Sequence, residues 1–256
     1  MIPTIRHQAL TLAALLFAFA LLIPDFSASQ TPSGEEILQR IDENISSDNR
    51  VFTSQMIIHG RRGSRTILSK SWAVGEEKSY SEYLAPAREK GTKMLKLEDM
   101  LWMYSPFADR IIQISGHMLR QSVMGSDLSY EDMMEDSKLT RHYAATVTGD
   151  TTIDERSCWK LELTARTEDV AYHSRKLCVD KERYIPLREE LFAKSGKLLK
   201  ILELKDIKQI KNRWYPGRMI FKDVLKTGGG TEFVIESIEF DVEIPEYIFS
   251  KASLKK

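Results

Sequence analysis

The chain has 256 residues, 42% of them hydrophobic and 29% charged, with 37 basic and 37 acidic side chains. That length supports a sizeable core, and the balanced charge removes the electrostatic case for nucleic acid or an anionic membrane surface as partner. Two cysteines exclude a disulfide-dense scaffold and a cysteine-rich zinc site.

Arg6 and His7 precede an uninterrupted apolar run, "ALTLAALLFAFALLIP" at residues 9–24. "DFSASQ" follows, with small Ser27 and Ser29 where a signal peptidase reads. The run is short for a bilayer span, which needs about 20 residues. The pattern predicts a signal peptide over residues 1–29, cleaved after Ser29, and an exported chain of residues 30–256 forming one domain. An uncleaved anchor is the alternative. No cysteine lies near the cleavage site to carry a lipid anchor.

"SGEEILQRIDENISS", residues 33–47, reads as an amphipathic helix: Ser33 and Glu36 form a capping box, and Ile37, Leu38, Ile41 and Ile45 share a face. Strand-and-turn patterns follow. "VFTSQMIIHG", "RTILSKSWAV", "SYSEYLA" and "GTKMLKLED" lead into "MLWMYS", and "PFAD" turns the chain into "RIIQIS". If Ser105 stands opposite Arg110, then Leu101, Met103, Ile112 and Ile114 share one purely apolar face. The other face carries Trp102, Tyr104, Ile111 and Gln113 and, with its polar tips, is expected to lie outward as a docking surface. Seven of the ten methionines fall between residues 94 and 134, among them Met94, Met124, Met133 and Met134. Met suits both an irregular core and an adaptable apolar ligand site.

"GSDLSYEDMMEDSK", residues 125–138, is too acidic for a strand; Ser129 and Asp132 predict a short capped helix carrying Met133 and Met134. Its carboxylates Glu131, Asp132, Glu135 and Asp136 lack the spacing of a calcium loop and read as a solvated helix face. "CWKLELTA" and "AYHSRKLC" read as an antiparallel pair around "RTED". Centred on Glu168, the pairing sets Cys158 opposite Cys178 and predicts one disulfide; it also sets Lys160 opposite Lys176, which is unfavourable. Two free thiols are the alternative. "YIPLREELFA", "LLKILELKDI", "RMIFKDVLK" and "TEFVIESIEFDVEI", the last continuing to Ile244, complete the strands. The whole predicts a mainly β fold: a curved antiparallel sheet forming an unclosed barrel, covered by the N-terminal helix and the short Met-rich helical segment.

"LEDMLWMYSPFADRIIQI" resembles the strand–turn–strand of LolA-type lipoprotein carriers. The longer pattern "KGTKML…LWMYSPFADRII…MGSDLSYEDM" more closely resembles the LolA-like outer membrane lipoprotein-sorting protein family, strongest over residues 83–135. That resemblance implies an apolar cavity for acyl chains. The cavity would be lined by Leu101, Met103, Ile112, Ile114, Met94, Met124, Met133 and Met134. It also implies a periplasmic, monomeric carrier of an acylated lipoprotein or lipid, in transient membrane contact, served by an inner-membrane transporter and an outer-membrane acceptor. LolA-type carriers hold their lid with the Arg of an Arg-Pro pair; here the comparable stretch is "LAPAREKGTKM". A sensor or exporter-accessory module of the same fold is the second reading.

No G-x-S-x-G, H-E-x-x-H, P-loop or C-x-x-C occurs, and His59, His117, His142 and His173 are not at metal-ligand spacing. The sequence therefore points to no catalysis, no cofactor and no metal. The enzyme alternative is a lipid esterase using Ser126, Asp127 and His142 or His117.

Overall fold

The computed structural model describes residues 31–135 and 138–255. The expected signal peptide at residues 1–29 and the acidic Asp136 lie outside them. Helix α1 (Gly34–Ile45) begins at the predicted capping box: Glu36 N–H donates to Ser33 Oγ at 3.2 Å, and Ser33 N–H donates back to Glu36 Oε2 at 2.7 Å. The strands are β1 (Asn49–Gly60), β2 (Gly63–Val74), β3 (Lys78–Ala85), β4 (Lys93–Leu97), β5 (Met100–Ser105) and β6 (Arg110–Ile114), then β7 (Tyr143–Ile153), β8 (Arg156–Ala165), β9 (Ser174–Asp180), β10 (Pro186–Phe192), β11 (Leu198–Ile210), β12 (Arg213–Asp223) and β13 (Gly230–Phe240). Between β6 and β7 lie two 3-10 turns (residues 116–120 and 123–125), α2 (Tyr130–Met134) and α3 (Leu139–His142).

Among the described residues the thirteen strands form one antiparallel sheet in the order β6-β5-β4-β3-β2-β1-β13-β12-β11-β10-β9-β8-β7, which does not close into a barrel. The topology is a meander with one long connection. β1 to β6 step outward to one edge, and β7 to β13 step back from the other edge until β13 pairs with β1. The chain between β6 and β7 must therefore cross the full width of the sheet, and the Met-rich stretch is that crossing.

Opposed residues share a face. Leu161, Leu177, Glu189, Leu202, Phe221, Thr231 and Ile58 follow one another across seven strands. Met56, Ile67, Met94, Met103 and Ile112 extend this inner face to the β6 edge. Two covers lie on it. At the β7 end, Ile37, Leu38 and Ile41 of α1 are fully buried against Trp159, Leu161, Leu163, Leu177 and Val179, about 1.5–3 kcal/mol of burial for each such side chain. Gly34 permits this closeness, since a Cβ there would stand 2.4 Å from the Ala145 carbonyl oxygen. At the β6 end, the crossing segment packs on β1 to β6.

Three expectations are corrected. The aromatic face of β5 does not lie outward. Trp102 is 3% exposed, with Tyr80, Leu95, Phe249 and Leu254 around it, because the C-terminal 3-10 turns at residues 246–249 and 251–255 fold over it. The β8–β9 register is shifted: Cys178 opposes Lys160, and Cys158 opposes Asp180. Both thiols are free, and the predicted Cys158–Cys178 bond is absent. The shift removes the Lys160–Lys176 clash and sets Glu162 opposite Lys176, with an ion pair at 3.2 Å. Finally, β13 stops at Phe240, where Asp241 takes a left-handed φ of 59° and turns the chain before Val242 and Ile244.

Candidate functional site

The β5–β6 hairpin adopts the predicted register: Leu101 opposes Ile114, Met103 opposes Ile112, and Ser105 opposes Arg110. β4 adds Met94 beside Met103. The crossing segment then lays Met124, Met133 and Met134 over them. All eight residues named from the sequence thus belong to one apolar cluster, with Met94, Leu101 and Ile114 buried and the other five half-buried. Tyr83 and Tyr130 point hydroxyls at the sulfurs of Met94 and Met103, each at 3.5 Å. Burial pushes the Tyr83 phenol far up, as a hydroxyl with only a sulfur acceptor requires.

The crossing is held by polar contacts that the sequence reading did not find. Asp127 is buried; its carboxylate accepts from Thr231 Oγ1 at 2.8 Å and from Asp223 N–H at 3.0 Å, tying the segment to β12 and β13. Arg65 donates to the Met124 carbonyl and pairs with Glu89 at 3.0 Å. Met124 there adopts a φ of 52°, a strained conformation for a non-glycine residue. An arginine does reach the crossing, but from β2 rather than from the "LAPAREKGTKM" stretch. Lys96 Nζ donates to the Met134 carbonyl at 3.0 Å. Beyond α2, Leu139 N–H and Thr140 N–H donate to the two oxygens of Asp42 at 2.9 and 3.0 Å, joining the end of the crossing to α1.

Ser129 caps α2 as predicted, but Asp132 and Glu135 do not lie on a solvated face. Asp132 turns inward, pairs with Lys200 of β11 and accepts from the Tyr172 hydroxyl. Glu135 pairs with Arg175 of β9, whose other side faces Glu189 of β10 at 3.5 Å. Arg175, Lys200 and Glu189 are each at most 8% exposed. The Arg175 guanidinium stacks over the rings of Tyr143 and Tyr172, at 4.8 and 5.5 Å. Burial pushes the Glu135 and Glu189 carboxyls up, and Arg175 only partly offsets it because one cation serves two acids. A signal for these groups existed in the sequence. Arg175 stands at alternate spacing with Leu177 and Val179, which marks a charge on an inward strand face.

The esterase alternative gains no geometry. Both Asp127 oxygens are engaged as described, and Ser126 Oγ donates to the Leu128 carbonyl at 3.3 Å within a tight turn. An open cleft of about 410 Å³ lies elsewhere, lined by Thr164, Arg166, Glu168, His173 and Lys194. Its lining includes none of the eight residues. Among the described residues, no helix is long and apolar enough to cross a membrane.

A family model described as an "Uncharacterized protein" family matches residues 75–256. No curated protein matches the chain. Among solved structures, a domain from Vibrio parahaemolyticus, assigned by its name to outer membrane lipoprotein sorting, is 25% identical, with a TM-score of 0.75 over 87% of this chain and 98% of that one. A DUF1329 family protein from Desulfovibrio piger is 24% identical, with a TM-score of 0.78 over 86% and 97%. A LolA superfamily protein from Nitrosomonas europaea is 23% identical, with a TM-score of 0.73 over 87% and 100%. The last two likenesses are of fold. The chain belongs to the family that this model describes, and its fold is similar to that of the lipoprotein-sorting domain from Vibrio parahaemolyticus.

Proposed function

We propose that the protein is a non-catalytic periplasmic carrier that takes the acyl chains of a lipoprotein or lipid onto the inner face of its sheet and moves them toward the outer membrane. One observation carries this reading. The apolar cluster around Met103 is closed by a connection, not by a strand or by α1, and that connection is tied to the sheet by polar contacts as well as by its apolar side chains. Lifting it breaks no sheet pairing and exposes a flexible, Met-rich apolar surface of the kind that adapts to varied chains. The lipoprotein-sorting assignment of the Vibrio parahaemolyticus domain supports the same class of cargo.

The test is native mass spectrometry of the exported protein, followed by transfer of any bound lipid to acceptor vesicles. A carrier comes out with lipid and gives it up. Protein that comes out empty, in complex with another protein, would instead favour a sensor or exporter-accessory module.

A further inference from the structure

Arg175 and Lys200 need an explanation beyond stability. Ion pairs this deeply buried stabilise poorly compared with apolar side chains of the same size. Both cations stand on the inner sheet face, and both are neutralised by carboxylates from the one segment that the carrier reading requires to move. At this patch Arg175 and Lys200 face Glu189, Asp132 and Glu135. Without the crossing, two cations, Arg175 and Lys200, and one carboxylate, Glu189, remain on the wall, together with the Tyr172 hydroxyl. Arg175 Nε is moreover buried with no hydrogen-bond partner among the described residues, so the guanidinium keeps a donor in reserve. A wall of this kind does not stay bare in a low-dielectric site; whatever lifts the crossing has to supply negative charge in its place.

We propose that Arg175, Lys200 and Tyr172 form a binding site for the anionic phosphate head group of an amphiphile, occupied in this conformation by Asp132 and Glu135 of the crossing segment acting as an internal stand-in. The placement fits such a ligand. Asp132 and Glu135 flank Met133 and Met134 in sequence, so a head group on the cations leaves its chains over the Met94–Met103–Ile112 surface. The guanidinium fork, an ammonium and a phenol together match the several acceptor oxygens of a phosphate. The site rests on the carrier reading and adds to it a preference for acidic ligands.

The experiment compares two lipids with identical fluorescent-labelled chains, phosphatidic acid and phosphatidylcholine, for binding to the full exported chain, with inorganic phosphate as competitor. The parent protein is expected to prefer phosphatidic acid by roughly tenfold or more, as a charge-assisted contact implies. Lys200→Gln is expected to collapse that ratio toward one. Asp132→Asn, which weakens the internal competitor, is expected to increase it. The parent ratio needs no variant to fold. Equal binding of both lipids overturns the head-group site and leaves the carrier reading standing, whereas no binding of either lipid ends both. Lys200-dependent binding of inorganic phosphate without a preference between the lipids overturns the head-group site in favour of a free anion.

Discussion

Arg175 shows how one buried residue makes the inner face sensitive to pH. Its guanidinium is shared by Glu135 and Glu189, and both carboxyls are held above their ordinary 4.5, burial being the larger cause. A carboxyl with a raised folded pKa keeps a proton that the unfolded chain releases, so stability falls as pH rises from about 4.5 through the folded value. Glu189→Gln is expected to flatten the decline in melting temperature over that window, and an unchanged slope would remove Glu189 from the account. Asp180 has the opposite sign. Burial raises its carboxyl, but Arg156 and the N–H groups of Glu182 and Arg183, at 2.9 and 3.1 Å, outweigh this and hold it below its usual range. Its contribution is present above the unfolded pKa and lost as pH falls through the folded one. Asp180→Asn should therefore cost about 2 kcal/mol at neutral pH, a gap that narrows in acid melts. The cysteines carry a lesson at the same scale. Their mirror spacing suggested a register, but the juxtaposed Lys160 and Lys176 that came with it were the better guide, and the strands slid by two residues to pair Glu162 with Lys176.

The two covers on the inner face differ in kind. α1 was legible from its capping box and its apolar stripe, and it is seated like a core helix: Ile37, Leu38 and Ile41 are fully buried, and Asn44 donates to the Arg183 and Tyr184 carbonyls at 2.8 and 3.0 Å. Ile41→Ala should cost about 3 kcal/mol. The crossing is a chain of short turns whose apolar members, apart from Val123, Tyr130 and Leu139, are only half-buried. Local opening draws on such segments. Amide exchange over residues 116–135 is therefore expected to be faster than over α1 and to slow when lipid is added; equal protection of the two would contradict a movable crossing. The pairing of Glu135 with Arg175 and of Asp132 with Lys200 was not legible, although Arg175 itself marks an inward charge, because the partners stand 40 and 68 residues apart. β7 was missed for a local reason. "YAATVTGDTTI" carries Gly149 at a register break and alternates weakly at a free sheet edge, so nothing in its pattern separates strand from loop.

For the whole molecule, the order of the strands explains most of what the sequence left open. The β5–β6 register followed from the turn, and with it the apolar face of Leu101, Met103, Ile112 and Ile114. What covers the opposite face did not, because the cover comes from the C-terminus, more than 140 residues away. Lys251 Nζ stands 4.1 Å from the centre of the Trp102 ring, and Phe249 and Leu254 complete the lid over it. Trp102→Glu should thus cost several kcal/mol and lower the melting temperature sharply, since it buries an unpaired charge in a packed cluster. Met103 stands on the face beneath the crossing and provides the most direct test of the central claim that this face receives acyl chains. The measurement is displacement of a fluorescent fatty acid from Met103→Glu and from the parent, with a thermal melt of each. Met103→Glu is expected to stay folded and to lose fatty-acid binding. A Met103→Glu protein that unfolds as Trp102→Glu does, or that stays folded and binds the fatty acid as the parent does, would contradict it.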